Sequence, residues 1–289
     1  MKSTESKTRR PTVSFIVTCY NHADILKVSL ESILAQKTPP DEIVVADDGS
    51  TEETFEMTRE LRRQTSIPLI HVWQKDEGFR INSSRNNALA VATGEYIILS
   101  DGDCFYEPHF VEDHLAAARP KRFVGGTRVH VQPERRDYIL AGGSRRISVF
   151  TPYTTKRLHA IRSHFLSSLT SYPNKPNDPV TPENNPEIFS ANFSFWREDA
   201  ITVNGFDERY VGYGGDDLDF QIRLNRAGVG WYKIRHLALA YHFTHPARPG
   251  DRQMVLARLD EAYRRPDFRI PDEFGLVRAL AEGPERIER

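Results

Sequence analysis

Over the first 118 residues, apolar and polar positions fall into blocks whose lengths and periods separate strands from helices. Residues 12–19 are a β-branched apolar run suited to a strand buried on both faces. Residues 21–36 carry Ile25, Leu26, Leu30, Ile33 and Leu34 at helical spacing, with Asn21 placed as an N-cap. A second strand covers residues 42–46 and ends at Asp47-Asp48-Gly49. Ser50-Thr51-Glu52-Glu53 is a capping-box pattern that opens a helix through Arg63. Residues 67–73 give a third strand, and residues 83–93 an alanine-rich helix with Gly94 at C′. Residues 96–99 give a fourth strand, followed by a helix from Pro108 to Ala118. Strands alternating with helices predict an α/β fold: a Rossmann-like, mostly parallel central sheet with helices on both faces.

Beyond residue 119 the rhythm changes. Residues 121–131 read as one strand, and residues 167–186, with five prolines, as a long irregular loop. Residues 189–196 recover strand character, residues 218–227 read as a helix closed by Gly228, and residues 231–243 as a closing strand. The tail from Gly250 is mixed in charge and partly helical in pattern.

Composition narrows the class. With 39% hydrophobic residues in a chain of 289, a sizeable core is available, and no apolar run reaches membrane-spanning length. Two cysteines, Cys19 and Cys104, make neither a disulfide framework nor a zinc spacing, and the polar first ten residues are not a signal peptide. These features predict a cytoplasmic protein. The net charge of −1 argues against a nucleic-acid partner, but it is a cancellation. Residues 119–164 hold eleven bases against Glu134 and Asp137, which leaves +9 there and −10 elsewhere.

The ends of the strands carry the chemistry, as ligands in parallel sheets bind beyond the carboxyl ends. Asp101-Gly102-Asp103 puts two carboxylates on a tight turn after the fourth strand, oxygen ligands that suit Mn2+ or Mg2+ holding a diphosphate. Its glycine is expected to let the backbone approach that ligand. Gly214-Gly215-Asp216-Asp217 precedes a helix, where acids favour the dipole and one carboxylate can serve as a base. His242 and His245 follow the last strand, and His242 is the better candidate for a further metal ligand. No P-loop, dinucleotide fingerprint or nucleophile elbow is present.

The segments VSFIVTCYN at 13–21, DEIVVADDGST at 41–51, GFRINSSRNNAL at 78–89, GEYIILSDGDC at 94–104 and the stretch at 190–224 occur in this order. Together they resemble the family 2 glycosyltransferases of the GT-A fold. The later part resembles the galactosyltransferase-type region of chondroitin-polymerase-like and β-1,4-galactosyltransferase-like enzymes. The resemblance implies that Thr18, Tyr20 and Asp47 or Asp48 form the nucleoside pocket. It implies that Arg85, and less directly Arg80, contact the donor, and that Asp101 and Asp103 are the DxD pair with His242 as the C-terminal metal ligand. Asp217 takes the place of the catalytic base, and Tyr213 and Asp216 those of acceptor contacts; Asp216 stands where the family commonly has Glu.

The implied organisation is a disordered N-terminus at 1–11, a nucleotide-sugar-binding half at 12–118, an acceptor-binding and catalytic half at 119–249, and a helical tail at 250–289. The implied activity is an inverting, metal-dependent transfer from a nucleotide-sugar, a UDP-sugar first, to a glycan or lipid-linked glycan acceptor in cell-surface polysaccharide or lipopolysaccharide biosynthesis. The basic segment suits an anionic acceptor or peripheral contact with the inner face of a membrane. A sugar nucleotidyltransferase and a non-catalytic glycan-binding module are the alternatives.

Overall fold

The computed structural model describes residues 9–289 except 153, 155, 156, 175–178, 182, 183 and 247–251. The expected disordered N-terminus falls mostly outside these residues; Arg9, the first described, pairs with Glu95 at 3.0 Å. Strand β1 (Val13–Cys19) lies between two parallel neighbours, so its β-branched side chains are buried on both faces. Helix α1 (Ala23–Leu34) leads to β2 (Glu42–Asp47), α2 (Glu52–Arg63), β3 (Leu69–Trp73), α3 (Ile81–Val91) and β4 (Tyr96–Asp101). The order β3-β2-β1-β4 is wholly parallel and brings the ends of β1, β2 and β4 to one edge.

Local signals are met with shifts. Asn21 does not cap α1: His22 holds that place without a side-chain cap, and both residues are left-handed, at φ 56° and 55°. Thr51 precedes α2 without a capping bond; Glu52 and Glu53 favour the helix dipole, and Glu52 also pairs with Arg59 of the same helix at 2.8 Å. Helix α3 begins two residues early, and Gly94 lies beyond its end, where a side chain would strike the Ser14 backbone.

After β4 come β5 (Cys104–Tyr106), α4 (Phe110–Ala117), β6 (Arg122–Gly125), β7 (Thr127–Val131) and α5 (Pro133–Leu140). The single strand expected at 121–131 is thus two strands in two sheets. Gly126 is the break, because a Cβ there would sit 2.4 Å from the Asn192 amide. The expected irregular loop contains most of α6 (His164–Thr170) and all of the short β8 (Tyr172–Pro173). Then follow β9 (Phe193–Trp196), α7 (Arg197–Thr202), α8 (Asp216–Arg226), β10 (Gly230–Lys233) and β11 (Leu239–Phe243). The expected closing strand is also divided, at left-handed His236 and Ala238. The tail forms α9 (Arg252–Arg264), α10 (Leu276–Glu282) and β12 (Arg286–Glu288). Besides helices it therefore supplies an antiparallel edge strand on β3, held by Arg59–Glu288 at 2.5 Å.

The large sheet runs β12-β3-β2-β1-β4-β9-β6-β10-β8, parallel from β3 to β4 and mixed beyond, with β12 an antiparallel edge. A second sheet, β5-β11-β7, stands beside the edge where β4 ends. Asn192 joins the two sheets: its amide donates to the carbonyls of Thr127 (3.0 Å) and Ala238 (2.8 Å), and its oxygen meets His114 at 2.9 Å. Burial lowers the pKa of His114 to about 4, so it is a neutral core residue. Among the described residues no helix is long and apolar enough to cross a membrane.

Candidate active site

A cavity of about 500 Å³ opens where β1, β4 and β11 end, and it reaches the start of α8. Four groups of residues form its wall.

The first group follows β1. Thr18 Oγ1 donates to Asp101 Oδ1 at 3.2 Å, and Tyr20, half exposed, donates its hydroxyl to Asp76 at 2.9 Å. The two left-handed residues after Tyr20 are held by Ser50 Oγ, which accepts from Asn21 N at 2.7 Å. Asp48 lines the cavity, its carboxyl accepting from Gln74 Nε2 (2.6 Å) and Arg80 N (2.9 Å); burial pushes its pKa up to about 6. Asp47 does not reach the cavity. It is fully buried, takes the amides of Gly49 and Ser50, and meets His71 at 2.7 Å. Arg80 contributes its backbone amide only, since its guanidinium turns to the Lys75 carbonyl and to Glu77.

The second group is the Asp-Gly-Asp turn. Gly102 is required by the protein itself: a Cβ would lie 2.7 Å from the Thr18 carbonyl, which accepts the Gly102 amide. The close approach expected toward a ligand is thus an approach to β1. Asp103 faces His242 Nε2 at 3.3 Å and His245 Nε2 at 3.5 Å, and the ligand atoms of these three residues lie within 4.8 Å of one another. Burial pushes Asp103 up, but the two imidazoles outweigh it and hold the carboxyl below its usual range. Asp101 stands outside this cluster, against the hydroxyls of Thr18 and Ser190, and is raised by burial and by Asp103. His242 Nδ1 is buried with no hydrogen-bond partner among the described residues. One carboxylate and two imidazoles, one with an orphaned nitrogen, fit a divalent first-row metal ion.

The third group is the start of α8. Three glycines at positive φ (Gly212, Gly214 and Gly215) surround Tyr213, which projects 55% exposed at the cavity mouth. Asp216 and Asp217 begin the helix, and Arg85 from α3 reaches both, at 2.5 and 3.6 Å. Arg85 is buried and also holds Asn82 Oδ1 (3.1 Å) and Ser190 Oγ (2.8 Å). Its charge is therefore neutralised within the protein. Asp217 Oδ2 accepts from Ser190 N at 3.0 Å, while Oδ1 is buried, faces Arg85 Nη1 at 3.6 Å and has no hydrogen-bond partner among the described residues. Burial, then the charge of Asp216, pushes Asp217 up to about 7, the range of a base that works near neutrality.

The fourth group was not legible in the sequence as part of a site. Phe79, Phe189, Ser190, Arg128 and Arg136 line the cavity, and Arg128 lies over the Phe189 ring at 4.6 Å. Among the described side chains of the basic segment, Arg128 and Arg136 reach the cavity. Lys121 pairs with Asp199, Arg145 with Glu31, and Arg162 with Asp113, while Lys156 lies outside the described residues.

The sequence model of glycosyl transferase family 2 matches residues 14–198, and that of the N-terminal domain of galactosyltransferase matches residues 177–246. The chain is 28% identical over 249 residues to an Escherichia coli chondroitin synthase, covering 83% of this chain and 36% of that protein. It is 26% identical over 253 residues to a Pasteurella multocida hyaluronan synthase, covering 83% and 25%. To a validoxylamine A glucosyltransferase of Streptomyces hygroscopicus subsp. limoneus it is 26% identical over 277 residues, covering 92% and 59%. The chain thus spans between a quarter and three fifths of these relatives. Among solved structures, a mannosyltransferase of Pyrobaculum calidifontis in complex with GDP-Man and Mn2+ superposes with a TM-score of 0.59 at 20% identity, covering 95% of this chain and 70% of that one. GalNAc-T7 with UDP, GalNAc and Mn2+ gives 0.62 at 13%, covering 88% and 48%.

Proposed function

The chain belongs to glycosyl transferase family 2 and has the GT-A fold, and we propose that it is an inverting, metal-dependent glycosyltransferase moving a sugar from a UDP-sugar to a glycan hydroxyl. One observation carries the reading: Asp103 and His245 of the Asp103–His242–His245 cluster line the same cavity, at the ends of the parallel strands, as Asp217. The polysaccharide synthases among its relatives support a glycan acceptor.

In this reading Tyr20, Thr18 and Asp48 hold the nucleoside. Asp103, His242 and His245 hold a divalent cation, Mn2+ or Mg2+, with Asp101 close by. When bound, that cation supplies positive charge to the diphosphate leaving group. The Asp217 carboxylate takes the proton from the acceptor hydroxyl, whose oxygen attacks the anomeric carbon opposite the departing diphosphate and turns an α-linked donor into a β-linked product. Ser190 N and Arg85 keep Asp217 aimed, and Asp216 holds Arg85 in turn. Tyr213 offers a ring face at the mouth, where an acceptor sugar arrives.

The test of the metal site needs no substrate. Titration of the protein with Mn2+, followed by electron paramagnetic resonance, is expected to show one tight site. In His242→Ala affinity falls by at least the roughly 10–100-fold lost when only a ligand's supporting partner is removed. Unchanged Mn2+ binding in His242→Ala and Asp103→Asn would remove the metal cluster from the account.

A further inference from the structure

Three arginines line the cavity: Arg85, Arg128 and Arg136. Arg85 is spent on Asp216 and Asp217, and Arg136 pairs with its exposed neighbour Asp137 at 2.8 Å. Arg128 makes no ion pair and no hydrogen bond among the described residues. Its half-buried guanidinium lies over the ring of Phe189, itself 46% exposed. Stacking occupies the flat face of a guanidinium and leaves its in-plane N–H donors open. Arg128 therefore offers an unused donor edge to whatever enters the cavity.

The acids on the same wall do not neutralise it. Asp103 faces His242 and His245, Asp216 and Asp217 face Arg85, Asp48 accepts from Gln74, and Asp101 accepts from Thr18. The stacked pair is also held in place. Arg128 stands on β7, and the carbonyl of Thr127 before it accepts from the Asn192 amide at 3.0 Å. Phe189 immediately precedes the turn Ser190–Asn192 that carries this amide. The residue after Phe189 is Ser190, whose backbone N–H holds Asp217 at 3.0 Å. The open edge thus belongs to the part of the wall that carries the base.

We infer that Arg128, backed by Phe189, recognises an anionic substituent on the acceptor sugar, a carboxylate or a phosphate gripped by the guanidinium edge. The acceptor is then an acidic glycan. The inference rests on the transferase reading above, which puts the acceptor hydroxyl at Asp217. The donor diphosphate is the other anion that enters the cavity, and the experiment separates the two.

The test compares three glycosides that differ only at C6: p-nitrophenyl β-glucoside, the β-glucuronide, and the β-glucoside 6-phosphate. Their binding to the full chain in the presence of UDP and Mg2+ is followed by ligand-observed NMR. One of the two anionic glycosides is expected to bind about tenfold or more tightly than the neutral one, and which of them does so identifies the anion. Arg128→Gln is expected to erase that preference, with the circular dichroism spectrum and the affinity for UDP retained, and Arg128→Lys to restore only part of it. Equal binding of all three glycosides, none included, would overturn the inference, as would a preference that survives Arg128→Gln. A loss of UDP affinity in Arg128→Gln of about tenfold, the same fold-change expected for the glycoside, would overturn it by giving the arginine to the diphosphate. UDP binding without any glycoside preference strikes the anion site and leaves the transferase reading. A preference without UDP binding strikes the transferase reading and upholds the anion site.

Discussion

Asp217→Asn is expected to lower kcat by about 10²–10⁴-fold while leaving donor and Mn2+ binding within a few-fold of wild type. Asparagine keeps the shape of the side chain and can still accept the Ser190 amide at the position of Oδ2, but its neutral amide is no base. The pH dependence gives an independent check. Asp217 is raised to about 7 by burial and by Asp216, and it acts only when ionised. The wild-type rate should therefore rise about tenfold per pH unit below 7 and level off above, and the residual rate of Asp217→Asn should lack that limb. Initial rates of nucleotide diphosphate release across pH, beside calorimetric binding of donor, make the comparison. Full turnover in the variant would dismiss Asp217 as the base. Loss of donor binding together with rate would show that the residue acts through structure.

Arg85→Met is expected to destabilise the protein by about 3–5 kcal/mol, measured by urea unfolding, and to abolish transfer. Arg85 is buried, and one of its nitrogens serves Asn82, Asp216 and Asp217 together, so its removal leaves two adjacent, partly buried carboxylates uncompensated. Arg85→Lys should recover little, because a single ammonium cannot also reach Ser190 from the same place. Adding Asp216→Asn to Arg85→Met should return part of the lost stability, since one uncompensated charge goes with it. A near-neutral Arg85→Met would mean that this arginine does not hold the start of α8 together.

The parallel half of the fold was legible because strands buried on both faces leave unbroken β-branched runs, as at residues 13–19, 42–47 and 96–101. The second half was misread wherever two strands share one run. Residues 121–131 keep their apolar pattern straight through Gly126, and only the Asn192 amide packed against that glycine sends β6 and β7 into different sheets. The loop expected at 167–186 hid most of α6, whose apolar residues point outward and so lack the buried stripe that marks a helix.

The site divides in the same way. Asp103, His242 and Asp217 stand at strand or helix ends, where a pattern can place them; Asp103 faces His242, and Asp103 and Asp217 line one cavity. Asp47 and Asp48 are chemically alike in sequence, but neighbours at a strand end point apart; one is spent on His71 and the other faces the cavity. Arg85, expected as a donor contact, does line the cavity, but sequence cannot show that Asp216, 131 residues away, pairs with it there. Arg128 and Phe189 gave no signal, since their stacking joins a strand to a loop residue distant in the chain.

The central claim is a single inverting displacement driven by Asp217 beside a metal-held diphosphate. Proton NMR of the product released from an α-linked UDP-sugar in the presence of Mn2+ tests it most directly. The account predicts a β-linked anomeric centre and no product under chelation. An α-linked product, or the same yield without metal, would contradict it.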